Sequence, residues 1–470
     1  MSKAEKTTFW IKPYPELVMN GDQIFCRACN KPVSSERKSL VDQHVKTFLH
    51  ISKSDKLKRT DYFKETLAQY FSPSSKPSEQ EEFNKELCKA LISSNIPLTK
   101  VNNINLKSFL QRFCKQSVPD EDTLRKNYVN SCYKETMSQI RQIVGSNFTY
   151  IIVDESTDKF GRHIAHLLIG ILHEDILGRS YLISSKQLPN KNYSTIAPFV
   201  QEGLSRFFLP DSVPCEKIFL MLSDASLYMT KVGQHLKTLY KNITHVTCLA
   251  HGLNRVAEDI KGQFPIVTDL INNVNKVFLK APLSVQFYME QLPNVPLPPD
   301  PSRWGTWLEA AIFYADNFER IKNVILQITD SSTALDTCKI LVRSIELPQY
   351  LRNIKSKYGL VSNLLHKLET QRMTLSESIK IIDTFDRLCI IDDSIRQKFN
   401  DVIHKNNGYQ YLKRMNKLNF SVKFKNAPIT FVGVERSFFI DEHMFSGSKN
   451  NFLLENFEQL LIINYFRNSS

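Results

Sequence analysis

The chain has 470 residues, of which 42% are apolar and 23% charged, with a formal net charge of +13 and a pI of about 9.1. That is the composition of folded protein with room for about three domains of roughly 150 residues. The positive excess favours a polyanionic partner, either nucleic acid or an acidic membrane surface. No segment reaches the ~18 apolar residues of a membrane helix, and Met1-Ser-Lys-Ala-Glu-Lys has no apolar core, so no signal peptide is expected. Nine cysteines, scattered and odd in number, argue against a full disulfide framework and for a reducing compartment in which two of them serve a metal.

Residues 1–60 are polar and basic, with Cys and His concentrated between Cys26 and His50. The stretch 61–82 ends in breaker-rich Ser72-Pro-Ser-Ser-Lys-Pro-Ser and reads as a linker. From 83 to 146 the apolar period is helical: Leu87, Leu91 and Ile92 share one face, as do Leu106, Phe109, Leu110 and Phe113. The character then changes. Asn147–Asp154 is a short apolar run ending in an acid, His163–Leu172 and Tyr181–Leu188 read as strands, and Ser194–Phe208 reads as a helix. Lys217–Ser223 is a second buried-strand run closed by Asp224, followed by a helix at Leu227–Tyr240, a strand at Ile243–Ala250 and a helix at His251–Lys261. Residues 263–425 are mostly helical in pattern, broken by the proline-rich Leu292–Pro301. A turn or strand is expected around Thr430–Val434, then helix from Val434 and again from Leu453 to Phe466.

Cys26-Arg-Ala-Cys29 is followed by His44 and His50, a C-x2-C-x14-H-x5-H spacing. A close Cys pair grips one side of a metal and the His pair closes the other, giving the four ligands of a structural tetrahedral zinc site. Phe9-Trp10 and Ile24-Phe25 resemble the aromatic lead-in of BED-type fingers. The run IFCRACNKPVSSERKS, with DQHVKTFLH and SNIPLTKVNN, resembles the N-terminal part of CGG triplet repeat-binding proteins, which implies DNA binding through this finger. Residues 1–60 hold twelve Lys/Arg against six Asp/Glu. Lys31, Arg37, Lys38 and Lys46 are candidates for phosphate contact, and Lys53, Lys56, Lys58 and Arg59 extend the basic arm or form a nuclear localisation signal. Any one of them also reads as part of a solvated basic face.

Two strand-like runs end in Asp154 and Asp224. In an RNase H-like fold the first and fourth strands are parallel neighbours, so these carboxylates would meet and bind divalent cations, with Mg²⁺ or Mn²⁺ favoured by hard oxygen ligands. Either Asp taken alone reads more commonly as a turn or helix cap. From Ile151 onward the chain resembles hAT-superfamily transposases in five stretches: IIVDESTDKFGR, LMLSDAS, HVTCLAHGLNRVAE, SRWGTWLEAAIFYADNFE, and GVERSFF with LLENFEQLLIINYF. The resemblance implies Asp154, Asp224 and Glu435 as catalytic acids, and Cys248 and His251 beside the active site. It implies Arg303-Trp304 as a DNA-contacting motif with Trp304 stacked on a displaced base, and a C-terminal dimerisation segment. Asp158 is expected to cap the turn after the first strand. The sequence departs from the family in two places. The stretch from His251 to Glu435 is short, and Phe439 with Asp441 and Glu442 stands where a small polar and a basic residue are usual.

The expected architecture is therefore α/β. A zinc finger (1–60), linker (61–82) and helical DNA-binding or dimerisation region (83–146) precede an RNase H-like mixed sheet (147–262). A helical insertion (263–425) and a closing segment (426–470) follow. The expected function is nuclear DNA binding with a metal-dependent strand-transfer core. Two alternatives stay open: a domesticated regulator of transcription without catalysis, and a dimerising scaffold. DNA and a second copy are the expected partners; no membrane and no small-molecule substrate are expected.

Overall fold

The computed structural model describes residues 7, 10–11, 13–14, 16–20, 23–26, 29, 31–34, 36–47, 50, 78–158, 160–174, 179–300, 306–329, 332–369, 373–388, 392–417, 424–431, 437–438 and 454–468. The chain divides into two compact units, Met1–Ser78 and Glu79–Ser470.

In the first unit, β1 (Leu17–Asn20), β2 (Gln23–Cys26) and β3 (Lys31–Val33) form an antiparallel sheet in which Leu17 and Lys31 both pair with Cys26. Helix α1 (Lys38–Val45) turns Val41 inward. Among the described residues, the buried apolar ones are Ile11, Leu17, Ile24, Val33 and Val41, with Cys26 and Cys29 beside them. A core this small supplies little stability by itself.

The second unit opens with α2 (Glu79–Ser93), a 3-10 turn at Leu98–Asn102, α3 (Ile104–Cys114) and, after a π-helical turn at Leu124–Tyr128, α4 (Val129–Val144). There follow β4 (Phe148–Thr157), β5 (His163–Leu172), β6 (Ser180–Leu188), α5 (Tyr193–Phe208), β7 (Ile218–Ser223), α6 (Leu227–Leu239), β8 (Thr244–Thr247) and α7 (Leu249–Gly262). This is the succession of elements read from the apolar runs. The last strand is shorter than expected, because α7 already begins at Leu249.

The five strands form one mixed sheet in the order β6-β5-β4-β7-β8. β4, β5 and β6 are an antiparallel meander, while β7 is parallel to β4 and β8 parallel to β7. β4 and β5 are buried almost end to end, as strands covered on both faces must be. Tyr150 fills the space over Gly170 so closely that a Cβ there would lie 2.1 Å from its ring.

Among the described residues eight helices follow: α8 (Pro265–Lys280), α9 (Pro282–Gln291), α10 (Thr306–Gln327), α11 (Thr333–Leu341), α12 (Glu346–Leu368), α13 (Leu375–Leu388), α14 (Asp393–Lys405) and α15 (Asn407–Lys417). The chain then returns to the sheet. Ile429 O accepts from Leu249 N at 3.0 Å, and Asn426 Nδ2 donates to His173 O and Glu174 O, each at 3.0 Å. Thr430 and Phe431, expected in a turn or strand, join no strand among the described residues.

Helix α16 (Leu454–Asn468) buries Leu461, Ile462, Ile463 and Asn464 completely. Its Glu458 accepts from Ser184 Oγ (3.0 Å), Ser185 N (2.9 Å) and Arg206. Asn464 donates to Ile92 O (2.5 Å) and Asn95 Oδ1 (2.7 Å). Of the segment expected to pair two copies, the described Phe457, Leu460, Leu461, Ile462 and Ile463 are buried within this chain. Helix α16 joins β6 to the helices that precede the sheet.

Candidate metal centre and acidic strand ends

β2 ends at Cys26 and the turn after it carries Cys29, whose N–H donates to Cys26 Sγ at 3.3 Å. α1 delivers His44 near its end, and His50 follows after the helix stops. The ligand atoms of Cys26, Cys29, His44 and His50 all lie within 4.8 Å of one another. His50 Nδ1 lies 3.4 Å from Cys26 Sγ, 3.6 Å from Cys29 Sγ and 3.1 Å from His44 Nε2. Tetrahedral zinc with its usual bond lengths sets ligand-to-ligand separations of about 3.3–3.8 Å, so both donor set and spacing fit that ion.

The other ring nitrogen of His50 lies 3.0 Å from Glu16 Oε1, with both side chains buried. Such a carboxylate fixes the histidine tautomer and orients the ring toward the metal. Glu16 was missed from sequence, since nine residues separate it from Cys26 and no ligand spacing includes it. Of the candidate phosphate contacts, Arg37, Lys38 and Lys46 are exposed at the two ends of α1. Lys31 has its backbone in β3, and its side chain lies outside the described residues, as do Lys53, Lys56, Lys58 and Arg59.

At the other candidate site, the parallel register pairs Ile152 of β4 with Leu222 of β7. Two residues further on, Asp154 lies inside β4, which runs on to Thr157 instead of ending at the acid as expected, and Asp224 stands one residue past the end of β7. Asp154 is buried. Asp224 Oδ1 accepts from Ser226 N (3.2 Å) and Ser226 Oγ (2.9 Å), so this carboxylate also shapes the turn into α6.

A third acid, Glu155, was not singled out from sequence. Burial pushes its carboxyl up from the ordinary value, the Asp224 charge adds to that rise, and a bond from Tyr228 OH opposes it. Glu155 Oε2 is buried without a hydrogen-bond partner. Asp158 instead accepts from Phe160 N (2.9 Å), Arg162 N (2.8 Å) and Arg162 Nε (2.7 Å). Against a burial that would raise it, the Arg162 bonds hold its carboxyl below the usual range.

On β5, His166 is the cross-strand partner of Asp154. It lies 2.5 Å from Ser437 Oγ and stacks on Phe438 with ring centroids 4.1 Å apart. Burial pushes its pKa down to about 3, so the ring is neutral. Glu435, two residues before Ser437, lies outside the described residues, as do Arg303 and Trp304. Cys248 caps α7, buried, with its N–H donated to Ser223 O at 2.8 Å. His251, one turn on, packs against Phe431 with centroids 4.8 Å apart, and its pKa is lowered to about 3 by burial and then by Arg255.

No helix among the described residues is long and apolar enough to cross a membrane. Residues 119–277 match the family described as Domain of unknown function (DUF659). Residues 10–56 match the CGGBP1 N-terminal domain. The chain is 26% identical over 141 residues to CGG triplet repeat-binding protein 1 of Homo sapiens, and equally to that of Mus musculus; the alignment covers 27% of this chain and 84% of each relative. The four-ligand cluster falls inside one matched segment and all five strands of the mixed sheet inside the other. The chain is thus similar to a CGG triplet repeat-binding protein in its N-terminal part and to DUF659 proteins across its sheet.

Proposed function

We propose that this chain is a nuclear DNA-binding protein of hAT-transposase-like architecture that grips duplex DNA through a BED-type zinc finger. The carrying observation is the closure of Cys26, Cys29, His44 and His50 within 4.8 Å, inside a segment similar to proteins named for binding CGG triplet repeats. Arg37, Lys38 and Lys46 on α1, with Lys31 on β3, supply cations for phosphate oxygens. The test is anisotropy of a duplex of CGG repeats and of a scrambled duplex, with full-length wild type and His44→Asn. Wild type is expected to bind with an affinity that falls steeply with salt, and His44→Asn to weaken binding at least about tenfold. Equal binding by both proteins, flat in salt, overturns the reading and favours a protein-interaction scaffold.

The second reading is that the sheet is RNase H-like and carries a DNA strand-transfer site at Asp154, Asp224 and Glu435. Numbered from β4, the strand order is 3-2-1-4-5 with the second strand antiparallel, which supports it. So does the parallel register, in which positions 154 and 224 each follow by two residues the paired Ile152 and Leu222. Ser437 lies 2.5 Å from His166 of β5, the residue paired across the strands with Asp154, and that contact supports it too. Bound Mg²⁺ or Mn²⁺ supplies charge neutralisation and an activated oxygen nucleophile at such a site. On this reading the β4–β7 pairing sets the spacing of Asp154 and Asp224, and His166 is the β5 residue paired with Asp154.

A metal-dependent nicking assay on wild type and Asp224→Ala separates the enzyme from the domesticated regulator. Activity lost in the variant supports strand transfer. DNA binding with no cleavage by either protein supports the regulator, to which the altered run after Glu435 also points.

A further inference from the structure

We propose that helix α3 is a second nucleic-acid contact, a platform on which unpaired bases stack; this rests on the DNA-binding reading and extends it to single strands. An apolar stripe of Leu106, Phe109, Leu110 and Phe113 would ordinarily face a core. Here Leu110 packs against the helical cluster around Leu91 and Leu124, whereas Phe109 and Phe113 are 56% and 64% exposed. No residue of α3 is buried. The two rings stand one turn apart with centroids 4.9 Å from each other, and the Arg112 guanidinium lies over Phe113 at 5.5 Å from its centroid.

Charge selects the occupant. No Asp or Glu occurs between Glu86 and Asp120, while Lys100, Lys107, Arg112 and Lys115 all fall in that interval. Lys100, Arg112 and Lys115 are exposed, and Lys107 is near enough to Asp120 to help lower its carboxyl pKa. A second copy docked symmetrically on this face would bring two faces of like charge together. A polyanion satisfies them. Duplex DNA hides the faces of its bases, but an unpaired strand offers them, and exposed aromatic rings between cations are how proteins hold single strands without sequence preference. The helix N-terminus is closed by Asn103, whose side chain accepts from Asn105 N (3.0 Å) and Leu106 N (3.2 Å), so the platform is held in place without its aromatic face.

The experiment measures binding of the full-length chain to a labelled oligo-dT and to a duplex of equal length, using wild type, Phe109→Ala/Phe113→Ala, Phe113→Trp and His44→Asn, with sedimentation on each. Both phenylalanines are exposed, so the double variant keeps its fold. It is expected to lose about tenfold or more in oligo-dT affinity, with duplex affinity and oligomeric state unchanged, and Phe113→Trp to retain binding. Wild type failing to bind oligo-dT, or the double variant binding it within twofold of wild type, overturns the proposal. So does a loss matched by dissociation of a dimer, which would assign the face to a second copy. Duplex binding insensitive to His44→Asn would sink the finger reading while leaving a Phe-dependent oligo-dT response standing.

Discussion

The two compact units hold themselves together by different means. In Met1–Ser78 the described core is a handful of side chains, and two of these are cysteines whose sulfurs point at a pair of histidines. In Glu79–Ser470 the core runs through a five-stranded sheet, the helices that follow it and a terminal helix that returns to β6. The described residues of the small unit bury little apolar area to set against chain entropy, and four polar ligands converge among them. The large unit has that area. It uses polar groups instead to pin long-range returns, as Glu458 pins α16 to Ser184, Ser185 and Arg206. Metal dependence should accordingly be confined to the small unit, and sensitivity to packing concentrated in the large one.

Removing the metal is the sharpest way to break that contrast. Structural zinc contributes about 10–16 kcal/mol of apparent folding free energy at neutral pH in small fingers. Chelation, or Cys26→Ser, is expected to unfold the first unit and leave the second intact. Limited proteolysis of the full chain should cut within residues 1–78 only, and the main thermal transition should not move. A chelator that also lowers that transition would show the large unit to be metal-dependent.

Truncating the terminal helix probes the other side. Ile462 is fully buried within the large core, and Ile462→Ala is expected to cost about 2–5 kcal/mol, read as a lower urea midpoint for the large unit with zinc content unchanged. A midpoint within experimental error of wild type would mean that α16 is dispensable to the fold and available to another chain.

Local signals in the sequence reached the metal ligands and the strands. Ligand spacing is a property of one short segment, and an apolar run such as Lys217–Ser223 declares a buried strand wherever it ends up. Contacts set by tertiary return were not legible. Glu16 meets His50 across 34 positions of chain, and Ser437 meets His166 across 271. Glu155 follows Asp154 directly, yet only the packing of Tyr228 against it shows that its carboxylate is buried. Helix α3 misled in the opposite sense, because its period was read correctly while the face that period defines is left half in solvent.

The finest test of the comparison uses an ion pair inside the large unit's helical edge. Lys89 of α2, with its side chain 6% exposed, lies 2.7 Å from Glu135 of α4 and 2.7 Å from Glu86, and Lys85 also reaches Glu135. Burial alone would raise the Glu135 carboxyl, but the bonds from Lys85 and Lys89 outweigh it and hold its pKa below the ordinary value. A depressed carboxyl stabilises the fold above its unfolded pKa of about 4.3, and that stabilisation is lost as pH falls through the lower folded value. Glu135→Gln should therefore cost about 1 kcal/mol at pH 7, discounted for partial solvent access. The gap to wild type should close in strong acid, where both proteins present a neutral side chain to Lys89. Urea midpoints at pH 7 and at successively lower pH measure it. A gap that stays constant down the acid limb would mean that the position acts through packing, and that the helical edge, like the sheet, is held by apolar contact rather than charge.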